Sequence, residues 1–307
     1  FSISGYLVWI SWSRSPTPAD YIVNRALRIY PGLAVVVLLA ALVLGPLVTG
    51  LPLAAYLGNE LFWSYLAHNL TPWGFASYLP GVFEANPLPR VVNMPLWTIP
   101  YEILMYGAVV VVGWVGARRT VVVSWIAFGL LAAVHAWNTF DHDDPWLVGA
   151  RSRYVMGYEL ESVSAFGSFF WSGVLFAHYR NRIRMRGAYA FIALVVLLAS
   201  APTRAFVPVA WAALPYLLLY LAFAPAMSAL PDSRNDYSYG IYLYAWPVQQ
   251  TVATLLPDAG AWGLSLAVSL LATTACAVFS WHVVEQPALG LKRRLTTRRA
   301  PAPSHRA

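Results

Sequence analysis

Glu102 is a carboxylate placed a few residues inside a long apolar run, in the stretch Asn93-Met94-Pro95-Leu96-Trp97-Thr98-Ile99-Pro100-Tyr101-Glu102-Ile103-Leu104-Met105-Tyr106. An ionisable group in a membrane helix costs at least ~2.5–3.5 kcal/mol, so its default reading is functional and it requires a partner. Two roles fit: polar binding or proton handling at a reacting group, or a structural pairing with a buried Arg or Tyr. If the helix starts near Trp97, Glu102 lies ~8 Å below the outer boundary. Trp97, Tyr101 and Tyr106 follow the same helix; such rings form an interfacial belt or line a substrate site.

A second constellation is basic. Arg25 and Arg28 are three residues apart, so on a helix they share a face, just before Ile29-Tyr30-Pro31. Guanidinium groups at the mouth of a span grip phosphate with paired hydrogen bonds, which suits a nucleotide-bearing donor such as a coenzyme A thioester. The plain alternative is a topology anchor. A third, Ser238-Tyr239-Gly240-Ile241-Tyr242-Leu243-Tyr244-Ala245-Trp246-Pro247, opens a later span with three tyrosines and a proline. Tyr239 and Tyr242, one turn apart, either line a polar cavity as substrate-binding groups or pack between helices.

Other polar residues signal less. Asp141-His142-Asp143-Asp144 has metal-ligand types, but neighbours on a loop rarely converge on one ion, so no metal site is assigned. His135, His178 and His282 fall near span ends and receive no catalytic role. Glu285, before Gln286-Pro287, caps its helix or pairs with an inner arginine. The lone Cys276 excludes an intramolecular disulfide and reads as a small packing residue.

These residues must be positioned by membrane helices. Of 307 residues, 59% are hydrophobic and 11% charged, against about 25% charged in a soluble domain; mean hydropathy is +0.57. Apolar runs of roughly 18–23 residues suit a ~30 Å hydrocarbon layer, and nothing alternates as a barrel strand would. The net charge of +7 sits between apolar runs, which marks topology determinants facing anionic lipid and argues against nucleic acid.

The expected fold is all-α, with about nine spans: a short first run at 1–13, then 29–49, 97–117, 120–137, 161–179, 188–203, 206–227, 238–256 and 262–284. Pro16 and Pro18 mark residues 14–24 as a polar link. Residues 53–70, with Asn59, Glu60, His68 and Asn69, are expected not to cross. That choice leaves only Arg90, Arg151, Arg153 and Arg204 outside, 4 of the 20 basic residues, and obeys positive-inside bias. One transmembrane domain is expected over 1–290, and a basic, disordered cytoplasmic tail over 291–307. The chain opens on Phe1 inside an apolar run without an initiator Met, which suggests a cut first helix.

Taken together, Phe1-Ser2-Ile3-Ser4-Gly5-Tyr6-Leu7, Arg25-Ala26-Leu27-Arg28-Ile29-Tyr30-Pro31, Leu96 to Glu102, Ser238 to Leu243 and Val284-Glu285-Gln286-Pro287 resemble the membrane acyltransferase-3 family. These integral O-acyltransferases mostly acetylate bacterial sugars. The resemblance implies ten helices in the complete layout with both ends cytoplasmic, and acetyl transfer from acyl-CoA to a hydroxyl of a carbohydrate or glycolipid acceptor. It ties Arg25 and Arg28 to the acyl donor and puts Glu102 in a region linked to activity. Acyl-CoA would be a co-substrate, with no tightly bound cofactor, and the setting a bacterial plasma membrane.

Two departures stand out. The family's first helix carries an essential Arg or Lys and a histidine thought to be the catalytic base. No residue of this chain matches that histidine, so without it the chain is expected to bind donor poorly or not turn over. Many members also have histidine where this sequence has Ala245. The rival class is a transporter or flippase for a lipid-linked or acylated intermediate, which would use the same intramembrane carboxylate but usually shows internal repeats; none is visible. Glu102 is expected near the outer boundary and the arginine pair near the inner one, so Glu102 is expected to orient the acceptor or the missing base rather than act alone.

Overall fold

The computed structural model describes residues 1–72, 74–115, 119–140, 154–155, 158–223, 235–257 and 262–297. The Asp141 to Asp144 stretch lies outside them, as do Arg118, Arg151, Arg153 and Arg234. The chain divides into two compact units, one of residues 1–18 and 101–232, the other of residues 19–100 and 233–307.

In the first unit, α1 (Ser2–Arg14), α6 (Ile99–Trp114, which starts at the unit boundary), α7 (Thr120–Phe140), α8 (Leu160–His178), α9 (Gly187–Ser200) and α10 (Phe206–Phe223) follow in order. Two antiparallel strands of two residues each, β1 (Tyr154–Val155) and β2 (Tyr158–Glu159), precede α8. The centre is α8, which packs against α1, α7 and α10. Small residues let backbones approach: a Cβ on Gly5 would sit 1.9 Å from the Phe170 carbonyl oxygen, and one on Gly173 1.9 Å from that of Ser2. Close backbone contact of this kind drives helix association where lipid removes the hydrophobic contrast.

The second unit holds α2 (Pro18–Leu39), a π-turn at Ala40–Leu44, α3 (Gly45–Val48), α4 (Leu53–Leu57), α5 (Glu60–Leu70), a 3₁₀ turn at Met94–Thr98, α11 (Ser238–Leu255), α12 (Trp262–Ser280), a second π-turn at Trp281–Glu285 and α13 (Gln286–Thr297). Gly240 lets α11 lie on α12, its missing Cβ falling 2.8 Å from the Ala277 Cα. Tyr56 donates to the Ala41 carbonyl at 2.7 Å inside the first π-turn, satisfying a backbone group where the ladder changes pitch. Burial pushes the Tyr56 phenol up to about 12, which keeps it a donor.

Among the described residues, six helical stretches are long and apolar enough to cross a membrane: Pro18–Val48, Met94–Trp114, Thr120–Thr139, Leu160–His178, Phe206–Phe223 and Trp262–Leu291. The protein is a helical, multi-pass membrane protein. The other three expected spans are helices of 13 residues (α1), 14 residues (α9) and 18 residues (α11); α11 falls outside the six because of its polar side chains. Residues 53–70 form helices of 5 and 11 residues, each too short for a ~30 Å layer.

Three expectations are corrected. The supposed polar link at 14–24 is helical from Pro18, because proline is tolerated in a first turn, where its missing N–H has no intrahelical role. Arg25 and Arg28 therefore stand well inside α2. The helix bearing Glu102 begins at Ile99; Trp97 belongs to the 3₁₀ turn before it. The basic C-terminal stretch stays helical to Thr297: leaving an apolar layer does not end a helix in residues of good helix propensity.

Two mid-helix prolines are answered in the same way. Pro247 has no N–H for the Leu243 carbonyl one turn back, and the buried Asn93 Nδ2 donates to that carbonyl at 2.9 Å. Pro215 leaves the Trp211 carbonyl, which accepts from the buried Ser172 hydroxyl. Asn93→Ala should lower stability by about 1–3 kcal/mol. In a Pro247→Ala background the same change should cost clearly less, since an alanine there supplies the missing N–H. Melting of the four proteins in detergent reads the coupling; additive losses would refute this role for Asn93.

Candidate functional site

Each unit carries a polar constellation among its apolar helices. In the first unit Glu102 occupies the first turn of α6, where the helix dipole favours a negative group. The Tyr106 hydroxyl, one turn on, donates to Glu102 Oε1 at 2.8 Å, and the Ser4 hydroxyl of α1 donates to the same oxygen at 3.1 Å. Both bonds fall on Oε1, fixing the orientation of the carboxylate. The partner is thus a phenol and a serine rather than an arginine. Tyr101, buried, meets Tyr158 and Phe166 edge-on, and its hydroxyl accepts from the Glu159 backbone N–H at 3.4 Å.

Ser4 was legible only as part of a motif; nothing in its spacing pointed to Glu102, 98 residues away. Trp97 is half-buried in the 3₁₀ turn at Met94–Thr98.

In the second unit, Arg28 is anchored. Its Nη2 lies 2.5 Å from Asp236 Oδ2, with the Arg28 side chain 24% exposed and that of Asp236 50%. The guanidinium carbon stands 5.7 Å from the centre of the Tyr239 ring, a cation–π arrangement. Ser238 donates its backbone N–H and its hydroxyl to Asp236 Oδ1 at 3.1 and 2.5 Å. Burial opposes the charge on Asp236, but the Ser238 hydrogen bonds and the Arg28 charge outweigh it and hold the carboxyl below its ordinary value. Asp236 escaped the sequence reading because it precedes the apolar run of α11 and resembles a solvated loop residue.

The tyrosines brace this arrangement. Tyr239 donates to the Ile29 carbonyl of α2 at 2.9 Å. Tyr242 bonds the Pro95 carbonyl and shares a 2.9 Å bond with the Thr98 hydroxyl. Their rings stack at 6.3 Å. Gly32 provides the room: a Cβ there would meet the Tyr239 and Leu243 side chains at 3.0 and 3.1 Å. Glu285, 2% exposed, accepts from Ser280 at 2.9 Å through Oε1. It sits in a π-turn rather than at a helix end, so it caps nothing. Among the described residues no three of His, Cys, Asp and Glu gather as metal ligands.

A family model described as an acyltransferase domain matches residues 1–282. Nodulation protein 10 of Rhizobium leguminosarum bv. viciae is 31% identical over 97% of this chain and 83% of its own length. An O-acetyl transferase of Shigella phage Sf6 is 26% identical over 98% of this chain and 84% of its own. No solved structure matches the chain.

The lowered Asp236 value carries a sign. A carboxylate held below its ordinary value contributes stability above that value and loses it as pH falls through the lowered one. The melting difference between the wild type and Asp236→Asn should therefore be constant from pH 7 to 5. It should shrink below about pH 4, the ordinary aspartate range, and vanish in stronger acid. A difference that grows on acidification would contradict the pairing.

Proposed function

The chain belongs to the membrane acyltransferase-3 family and is a membrane O-acyltransferase, and from that premise we propose that it moves an acetyl group from acetyl-CoA to a hydroxyl of a carbohydrate-containing acceptor. The observation that carries the reading is Glu102, a carboxylate oriented by Ser4 and Tyr106 at the start of a membrane-crossing helix. A phage relative described as an O-acetyl transferase supports acetyl as the group moved.

The acceptor oxygen attacks the thioester carbonyl carbon, the carbon–sulfur bond breaks, and the hydroxyl proton ends on the coenzyme A thiol or on solvent. The attacking hydroxyl must be aligned and its proton accepted. Glu102 Oε2, which takes no part in the bonds to Ser4 and Tyr106, accepts a hydrogen bond from that hydroxyl. The two donors on Oε1 keep the carboxylate pointed. At the donor end, Arg25 and Arg28 hold phosphate of the coenzyme. A guanidinium has five N–H donors, so Arg28 keeps donors for phosphate while Asp236 and the Tyr239 face hold it in place. Holding the fork beforehand reduces the entropy lost on binding. Trp97, Tyr101, Tyr239 and Tyr242 supply aromatic walls for the substrates. The enzyme works in the bacterial plasma membrane with its C-terminus cytoplasmic.

Thioester consumption by the full-length protein in membranes tests these assignments. Glu102→Gln should lower kcat by about 10²-fold or more, the lower end of what a positioned proton acceptor contributes, with KM for acetyl-CoA nearly unchanged. Arg28→Ala and Arg25→Ala should each raise KM for acetyl-CoA about tenfold, the equivalent of ~1.4 kcal/mol, with a smaller effect on kcat. If all three variants match the wild type, the site assignments are wrong.

A further inference from the structure

A cavity of about 1060 Å³ opens in the second unit among Asn59, Tyr78, Pro80, Gly81, Glu84 and Arg90. It lies just above the ~300–1,000 Å³ range of ligand sites. Its place in the fold separates it from the donor residues. The cavity also borders Gly50 and Leu51, just past α3, which ends the helical run from Pro18 to Val48. Arg28 lies 20 residues back along that run, or roughly 30 Å at 1.5 Å per residue.

The wall is built to hold its shape. Gln250 Nε2 donates to the Leu88 and Val91 carbonyls at 2.8 and 2.7 Å, and Asn86 Nδ2 donates to the Gln250 carbonyl and side-chain oxygens at 2.9 and 3.1 Å. Both amides are buried, so the loop behind the cavity is clamped to α11. Thr49 ties the other side to the Pro80 carbonyl at 2.8 Å. Phe83 and Arg90 adopt φ of 57° and 68°, a left-handed backbone unfavourable for a side-chain-bearing residue. Such strain persists where the surroundings fix it, and it gathers at ligand clamps.

The lining selects among ligand classes. Glu84 and Arg90 are exposed, with 3.8 Å between Arg90 Nη2 and Glu84 Oε1. One carboxylate balances one guanidinium, so a polyanion such as a coenzyme gains no net attraction. An unbroken hydrocarbon would strand both charges. A neutral polyhydroxy ligand suits them: the guanidinium donates to hydroxyl oxygens, the carboxylate accepts from hydroxyl hydrogens, and each has donors or acceptors for vicinal groups. Tyr78, 48% exposed, adds an aromatic surface of the kind that packs on the C–H side of a sugar ring while its hydroxyl stays wet.

We infer that this cavity is the binding site for the saccharide portion of the acceptor, with Tyr78 as the stacking wall and Glu84 and Arg90 as the hydroxyl-reading pair. The inference rests on the carbohydrate-acceptor reading above and adds where, and through which groups, the sugar is held.

The test uses the full-length protein in membranes, labelled acetyl-CoA, and oligosaccharides released by mild acid from de-O-acylated surface polysaccharide of the producing cells. Transfer of label gives separate KM values for oligosaccharide and acetyl-CoA. Tyr78→Ala and the double variant Glu84→Gln with Arg90→Gln should each raise KM for oligosaccharide about tenfold or more, equivalent to ~1.4 kcal/mol. KM for acetyl-CoA should stay within about twofold. Tyr78→Phe, which keeps the ring, should behave as the wild type, and melting temperatures should show each variant folded. Unchanged KM for oligosaccharide in a folded variant, or equal change in both KM values, overturns the cavity assignment and leaves the carbohydrate reading intact. A wild type that consumes acetyl-CoA but labels no oligosaccharide overturns the carbohydrate reading, and the cavity assignment with it.

Discussion

In hydrocarbon no water replaces a missing hydrogen bond, so each backbone group that a helix fails to pair must be paired by something else. That constraint accounts for the most specific polar contacts in this protein. Pro247 releases the Leu243 carbonyl, and Asn93 takes it. Pro215 releases the Trp211 carbonyl, and Ser172 takes it. The π-turn after Leu39 is met by the Tyr56 hydroxyl on Ala41. The helices can bend or break where they need to because a neighbour carries the replacement donor. Asn93, Ser172 and Tyr56 are all buried, where an unpaired group would be most costly.

The charged residues are paired as well, whether buried or partly exposed. Glu102, Arg28 and Asp236 are each held by neighbouring donors or acceptors. Two hydroxyls on Oε1 fix one face of the Glu102 carboxylate. Asp236, itself braced by Ser238, fixes the Arg28 fork against the Tyr239 ring. A binding group fixed before its ligand arrives loses less freedom on binding. Tyr239 and Tyr242 belong to this support as much as to any substrate wall, because their hydroxyls bond to backbone carbonyls.

Small residues set how closely the helices approach. Gly5 and Gly173 bring α1 and α8 to backbone contact in one unit; Gly240 does the same for α11 and α12 in the other. Gly32 makes room for Tyr239, and through it for the Arg28 contact. The site therefore depends on residues with no chemistry of their own.

The sequence by itself determined the membrane class, the helical architecture, and Glu102 and the arginine pair as the costly groups to explain. These follow from composition and from spacing along one helix, which hydropathy and a 3.6-residue period make visible. The Glu102–Tyr106 bond was within reach for the same reason, being one turn long. Only the tertiary structure decided that Ser4 meets Glu102, that Asp236 meets Arg28 across 208 positions of sequence, and that Asn93 answers Pro247. Those pairings depend on which helix faces which, and one helix's periodicity carries no information about its neighbour. The cavity beside Tyr78 was hidden for a related reason: a loop rich in Pro and Gly has no period, and its shape is fixed by Gln250 of α11, which the local sequence does not contain.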